Sequence, residues 1–410
     1  MTARPWLIVM TAVAVVSDSM LNPFFPQYFS TVLGVEDPRH VGYYIASCSL
    51  VVLLAFPVWA RIARRVPLVR LLIATQLAAG ALSLASGYTT SLGQFWIFSL
   101  AMLVCKASYL LIYPHILSLE RKANHLATIS LLAFVLYFGR IASALMSGAV
   151  FQLGDPRWLF VVMAGGDLVQ TVMCGFALSA AAPVTAAEPA PERSDRDEPV
   201  ARLPARRLLY KLGIVMLMLY FSAYLTQPFF SAYWTELVGT DNKILSGAVF
   251  AVPGIAAVCA LYGNARAHTR ARHAGIGSAI VLAIAGLVLQ RIGEPLLVVV
   301  GRGLYGWALF QSMVRLDVVV FRLSTPAAYA VDFSTINLYQ GLGVLFASYA
   351  AGALVGGFGV TVPFAVSVAG FGVTVALYFG LLHAELRLAA APPSTVAASA
   401  VDHPIAQEAA

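Results

Sequence analysis

Apolar residues in this chain run in long blocks, with neither the strict alternation of a half-buried strand nor the single stripe of a surface helix. A helix needs roughly 20 apolar residues to cross a bilayer core. Windows of that size fall at 6–33, 41–60, 68–88, 94–118, 126–152, 158–180, 208–236, 245–263, 274–292, 295–320, 332–356 and 362–384, which predicts twelve transmembrane helices. The blocks lack period-two alternation, so a transmembrane β-barrel is excluded. Gly and Pro inside several spans are tolerable in membrane helices, where neighbours re-satisfy freed backbone groups. Arg4 followed by Leu7–Val16 has the outline of a secretory signal. It has no small-x-small cleavage site, and the apolar character resumes past Asp18, so this segment reads as a retained helix.

The blocks are interrupted once at length. Residues 181–206 contain nine charged residues and five prolines among 26, too polar to bury a core. They read as a flexible cytoplasmic linker between an N-terminal six-helix bundle (1–180) and a C-terminal one (207–386). Residues 387–410 form a second polar stretch, a disordered cytoplasmic tail.

Composition narrows the class. The 410 residues are 60% hydrophobic and 11% charged, against about 45–50% and about 25% in soluble domains. Soluble, disordered and coiled-coil classes are thereby excluded. The pI of 9.3 would suit nucleic acid, but the positions of the basic residues explain it otherwise. With the N-terminus inside, 18 of the 26 Lys and Arg fall in cytoplasmic segments and four in external loops, the asymmetry that orients membrane proteins. Nucleic acid is therefore not an expected partner. Both termini are expected in the cytoplasm and the chain in the cell (inner) membrane. Cys48, Cys105, Cys174 and Cys259 lie in apolar runs without metal-ligand spacing, which predicts buried small hydrophobes and no metal site.

Shifting the chain by 205 residues aligns NPFFPQYFSTVLG (22–34) with QPFFSAYWTELVG (227–239), then Gly42 with Gly247, and ARIARR (60–65) with ARAHTR (265–270). Such an internal repeat marks duplication. Two parallel six-helix halves joined by a polar loop resemble the major facilitator superfamily along nearly the whole chain. That family shows Gly-x-x-x-Asp-Arg-x-Gly-Arg-Arg between helices 2 and 3. Here the loop reads ARIARRVPLVR, with Ala60, Arg64 and Pro67 in place of Gly, Asp and Gly. The gating role of that Asp is therefore not carried over. YFGRIASALMSGAVFQLG (137–154) is similar to the FGR-containing helix 5 of the lactose-permease-like branch, while the Gly-Pro-rich helix 5 of many drug antiporters is missing. The resemblance implies an all-α membrane fold of two pseudo-symmetric bundles that moves substrates by alternating access.

Charges inside spans are the candidate chemistry, because each costs roughly 2.5–3.5 kcal/mol to insert at the bilayer centre. Helix rise places Asp18, Lys106 and Arg140 roughly 18–21 Å into their spans. The repeat maps Asp18 to Ala223, Lys106 to Gln311 and Arg140 to Val344, so these charges were not duplicated with the architecture. Asp18 is the candidate proton carrier. Asn22, Gln27, Lys106, Arg140, Gln227, Arg302 and Gln311 are the candidate substrate contacts, with Arg140 holding a negative group. A buried Asp18–Arg140 or Asp18–Lys106 pair that only fixes packing is the structural alternative. Asp167, on a helix that the resemblance puts outside the cavity, and Arg315 and Asp317, near the inner end of helix 10, have structural or coupling roles. Pro23 and Pro228 can break helices 1 and 7, which line the pathway in this superfamily. GRGLYG (301–306) fits a dinucleotide fingerprint but lacks the preceding strand, so its glycines read as packing positions.

These readings predict a proton-coupled secondary transporter, functional as a monomer, that exports a small anionic or zwitterionic metabolite such as a siderophore, organic acid or drug-like compound. Import by symport and a non-transporting ligand sensor are the alternatives. No cofactor is expected. No nucleophile–base pair or nucleotide-binding loop is visible, so neither an enzyme nor direct ATP drive is expected.

Overall fold

A computed structural model describes residues 3–112, 125–180, 202–266, 275–324 and 329–386. The linker from 181 to 201 and the tail from 387 lie outside the described residues. Residues 202–206, expected in the linker, instead form the first turn of a helix. Among the described residues every regular element is helical: α1 (Ala3–Asp18), α2 (Phe25–Leu33), α3 (Pro38–Ile62), α4 (Leu68–Tyr88), α5 (Leu92–Lys106), α6 (His125–Leu153), α7 (Trp158–Ala180), α8 (Arg202–Tyr224), α9 (Phe230–Val238), α10 (Lys243–Arg266), α11 (Ile276–Arg291), α12 (Pro295–Leu323), α13 (Tyr329–Phe358) and α14 (Val362–Leu377). Helix is what an apolar chain must adopt in lipid, since it satisfies backbone groups within the segment. Among the described residues eleven spans are long and apolar enough to cross a membrane; α11, at 16 residues, is the shorter twelfth.

The first and seventh spans are each two helices. Between α1 and α2 the chain turns through 19–21 and a tight 3-10 turn at Asn22–Phe24; between α8 and α9 it turns through 225–229. Pro23 and Pro228 sit in these breaks, where each removes a backbone donor. The duplication extends to the caps. Gly34 and Gly239 end α2 and α9 in the left-handed conformation, with φ of 65° and 68°, which glycine adopts without a Cβ penalty.

The two halves meet along α3 with α13 and α6 with α10. At both crossings glycine permits backbone contact. A Cβ on Gly42 would lie 2.7 Å from Gly352 Cα, and one on Gly247 would lie 2.4 Å from the Ala144 carbonyl, beside Gly148. Gly42 and Gly247 are repeat partners, as are Gly148 and Gly352. Both crossings lie toward the bundle end that carries the loops at 34–37, 154–157 and 239–242, here termed the loop end; the opposite end carries the linker. An apolar core at the loop end also joins the halves, with Phe29, Tyr44, Phe95 and Phe160 packed in one cluster with Leu225, Phe229 and Ala351.

GRGLYG is a packing element: a Cβ on Gly301 would lie 2.6 Å from the Gly286 carbonyl, and one on Gly306 would lie 2.3 Å from Pro253 Cα. The cysteine expectation needs correction. Cys174 is buried, but Cys259 is exposed and Cys48 and Cys105 are half-buried. Apolar surroundings in a membrane span include the lipid-facing surface as well as the core.

Candidate functional site

α1 ends at Asp18, so this carboxylate stands at the edge of the break ahead of Pro23. α5 ends at Lys106, where the chain tightens into a 3-10 turn over Ala107–Leu111. Asp167 lies in the middle of α7, which approaches α1 closely because Gly166 has no Cβ: one built there would lie 2.6 Å from Ser17 Cβ. These three irregular or crowded places bring the charges together. The Lys106 ammonium donates to Asp18 Oδ1 and, at 2.6 Å, to Asp167 Oδ1. The side chains of Lys106 and Asp167 are 5% and 0% exposed, while that of Asp18 is 31% exposed. Asp18 is thus the member of the cluster open to its surroundings.

This corrects two expectations. Lys106, read as a substrate contact, is enclosed between two carboxylates. Asp167, read as lying outside the pathway, is one arm of the same cluster. Two carboxylates therefore share one ammonium, and two of the three groups, Lys106 and Asp167, are buried. Among the described residues Asp167 Oδ2 has no hydrogen-bond partner, and neither amide atom of Gln170, one helical turn further along, has one either.

The C-terminal half handles the same positions without carboxylates. Where Asp18 stands in one half, Ala223 stands in the other, and its carbonyl accepts a 3.0 Å bond from the Tyr305 hydroxyl. Gln311, the counterpart of Lys106, exchanges amide hydrogen bonds of 2.9 and 3.1 Å with Asn264. Arg302 is also engaged internally. Pro253 lacks the amide that would bond the Val249 carbonyl four residues earlier in α10. Arg302 Nε supplies a donor to that carbonyl at 2.9 Å, and Nη2 donates to the Phe250 carbonyl at 2.8 Å. Its guanidinium lies 3.6 Å from the centroid of the Phe230 ring. Arg302 braces a proline kink and is not presented to a substrate. Arg315 donates to the Gly275 carbonyl at 2.7 Å, tying α12 to the start of α11, in keeping with a structural role.

Arg140 is different. It lies midway along α6, is exposed, and has no carboxylate within 4.0 Å among the described residues. Its guanidinium hydrogen-bonds Tyr224 of the other half, and the Asp18–Arg140 pair does not form. Tyr224, Tyr137 and Tyr220 are its electrostatic neighbours. Tyr220 and Tyr224 stack with centroids 6.0 Å apart, and Tyr137 meets Phe310 edge-on at 5.4 Å. Asp317, expected to orient the inner end of helix 10, is half-buried and hydrogen-bonded to Gln340. Like Arg140, it lies within electrostatic range of Tyr137 and Tyr220. Asn22 and Gln227 mark the two helix breaks; Asn22 is exposed and Gln227 half-buried, as is Gln27, whose Oε1 is enclosed without a partner. Tyr137, Tyr220, Tyr224 and Gln340 are absent from the sequence-derived set. The spacing of Tyr220 and Tyr224 by four, and of Tyr137 and Arg140 by three, puts each pair on one helix face and is the signal that could have found them.

Comparison with known proteins agrees with this architecture. No curated protein sequence matches the chain. Among solved structures, a bacterial homolog of the human lysosomal transporter Spinster, in an inward-facing and occupied conformation, superposes with a TM-score of 0.72 at 13% identity, over 92% of this chain and 95% of that one. The nucleoside transporter NupG gives 0.69 at 14% identity, over 93% and 98%. These likenesses establish the fold alone. The family model of the Major Facilitator Superfamily matches residues 7–316. With its duplicated halves and paired helix breaks, this multi-pass chain belongs to the Major Facilitator Superfamily and has the fold of a secondary transporter.

Proposed function

We propose that this protein is a proton-coupled exporter of a small anionic or zwitterionic metabolite, acting as a monomer in the cell inner membrane with both termini cytoplasmic. The observation that carries the reading is the Asp18–Lys106–Asp167 cluster. One ammonium shared by two carboxylates becomes neutral on taking up a single proton. Asp18, at the helix break and partly exposed, exchanges that proton with the cavity. When Asp18 is protonated, Lys106 is left to Asp167 alone, which loosens the tie between α1 and the rest of its bundle. Arg140, exposed and bonded to the neutral Tyr224 with no carboxylate within 4.0 Å among the described residues, supplies the contact for the substrate's negative group. The glycine crossings close the loop end, and the basic segments of the opposite end face the cytoplasm under the positive-inside rule. That geometry is a loading state for an exporter. The outward direction rests on the likeness of the first span, with its membrane Asp and Pro-rich exit, to multidrug and siderophore exporters.

Proteoliposomes containing a pH-sensitive dye and offered a panel of organic acids, siderophores and aromatic zwitterions test this. Substrate movement should drive opposed proton movement. Asp18→Asn should abolish gradient-driven flux while leaving substrate exchange without a gradient intact. Normal gradient-driven flux in that variant would overturn the coupling role, and co-directional proton movement would replace export with symport.

A further inference from the structure

We propose that the cavity between the halves takes a zwitterion with an aromatic body, its anionic group at Arg140 of the N-terminal bundle and its cationic group at Asp317 and Gln340 of the C-terminal bundle. The inference rests on the reading of Arg140 as a substrate contact and extends it to the opposite charge and to the body between them.

Arg140 and Asp317 are opposite charges on opposite halves, and each bonds a neutral side chain: Tyr224 for Arg140 and Gln340 for Asp317. No acid lies within 4.0 Å of Arg140 and no base within 4.0 Å of Asp317 among the described residues. Both are electrostatic neighbours of Tyr137 and Tyr220, so the tyrosines are near both charges. Gln340 bonds Asp317 and donates its own amide to Met216 Sδ at 3.1 Å. That bond fixes the glutamine so that its carbonyl end is available to a cation.

A cavity with low-dielectric walls focuses such fields. A simple anion gains at Arg140 and is repelled at Asp317; a simple cation meets the reverse. A zwitterion gains at both. The stacked faces of Tyr220 and Tyr224 and the edge-on Tyr137–Phe310 pair offer planar apolar surface to a ring, and tyrosine faces also attract an ammonium. Because the two charges ride on different bundles, a ligand held at both ends draws the halves together at the linker end. Binding is thereby linked to the conformational step.

The test uses full-length protein in lipid nanodiscs and three probes that differ only in charge: L-phenylalanine, hydrocinnamate, which lacks the amine, and phenethylamine, which lacks the carboxylate. Equilibrium binding should favour L-phenylalanine over either by about tenfold or more, the factor that roughly 1.4 kcal/mol from a second charged contact gives. The isosteric Asp317→Asn variant should bring the ratio of L-phenylalanine to hydrocinnamate affinity down to about one, with hydrocinnamate itself bound no more weakly. Gln340→Met should lower the same ratio. Arg140→Gln should weaken both carboxylates and spare phenethylamine. Thermal unfolding confirms that each variant is folded. Equal affinity for hydrocinnamate and L-phenylalanine, an unchanged ratio in Asp317→Asn, or no binding of L-phenylalanine overturns the assignment. A preserved charge preference with no proton-linked flux would instead overturn the coupling proposed above and leave this site standing.

Discussion

The two halves share their backbone irregularities and differ in their buried charges. Each half breaks its first helix before an Asn/Gln-Pro-Phe-Phe sequence and caps the outer segment with a left-handed glycine. Each contributes one glycine to each inter-half crossing. Yet the N-terminal bundle gathers two acids around one buried amine. The C-terminal bundle has an alanine carbonyl, an amide pair and an arginine held by main-chain oxygens. What both halves retain is what a six-helix bundle needs to turn, cap and cross. What only one retains points to work done in that half.

The largest expected effect breaks the charged side of this contrast. Lys106→Met leaves two acids without their cation, and removing one partner of a buried ion pair costs about 3–5 kcal/mol. Its thermal midpoint should fall steeply, and adding Asp167→Asn should recover part of the loss; a midpoint equal to that of the parent would show that the cluster is not stabilising. Arg302→Met should cost less, about 1–3 kcal/mol, because it strands two buried carbonyls. Pro253→Ala restores the amide that the Val249 carbonyl lacks. The double variant should therefore be more stable than Arg302→Met alone, and strict additivity in the double-mutant cycle would retire the brace.

A third change addresses what the halves share. Gly42→Leu with Gly247→Leu cannot keep the loop end closed, because backbone occupies the space. Spin labels attached through Glu36→Cys and Asp241→Cys, in a background without the native cysteines, should move apart in that variant. Unchanged distances would mean that the crossings are not the closure. The smallest effect concerns the amide pair. Gln311→Leu alone leaves Asn264 unpaired and should cost about 1 kcal/mol, whereas Gln311→Leu with Asn264→Leu should be close to neutral. Chemical denaturation of the three variants checks this.

The fold was legible because lipid imposes one rule on every span. Over the described residues the apolar windows match the helices to within about six residues, and the repeat sets Gly34 opposite Gly239; residues 113–118 of the fourth window lie outside the described residues. The site was legible in part. Single residues out of place, such as Asp18 and Arg140, announce themselves by their cost. Their partners do not, because pairing depends on helix rotation. Asp167 turns toward Lys106 only because Gly166 lets α7 settle on α1, and Arg302 turns away from the cavity because Pro253 leaves a carbonyl to be met. Tyr220 and Tyr224 lie near Arg140 of another helix, a neighbourhood that the sequence of their own helix does not carry.

The shortness of α11 bears on the surrounding lipid. Sixteen residues rise roughly 24 Å, several ångströms less than a hydrocarbon core of about 30 Å. Gly275, at φ 121°, stops the helix from extending at its start. The bilayer beside α11 must thin, or flanking side chains must reach outward to cover the difference, at a fraction of a kcal/mol per ångström. The protein therefore sits in its membrane with one shallow flank, and thicker bilayers press on that flank first.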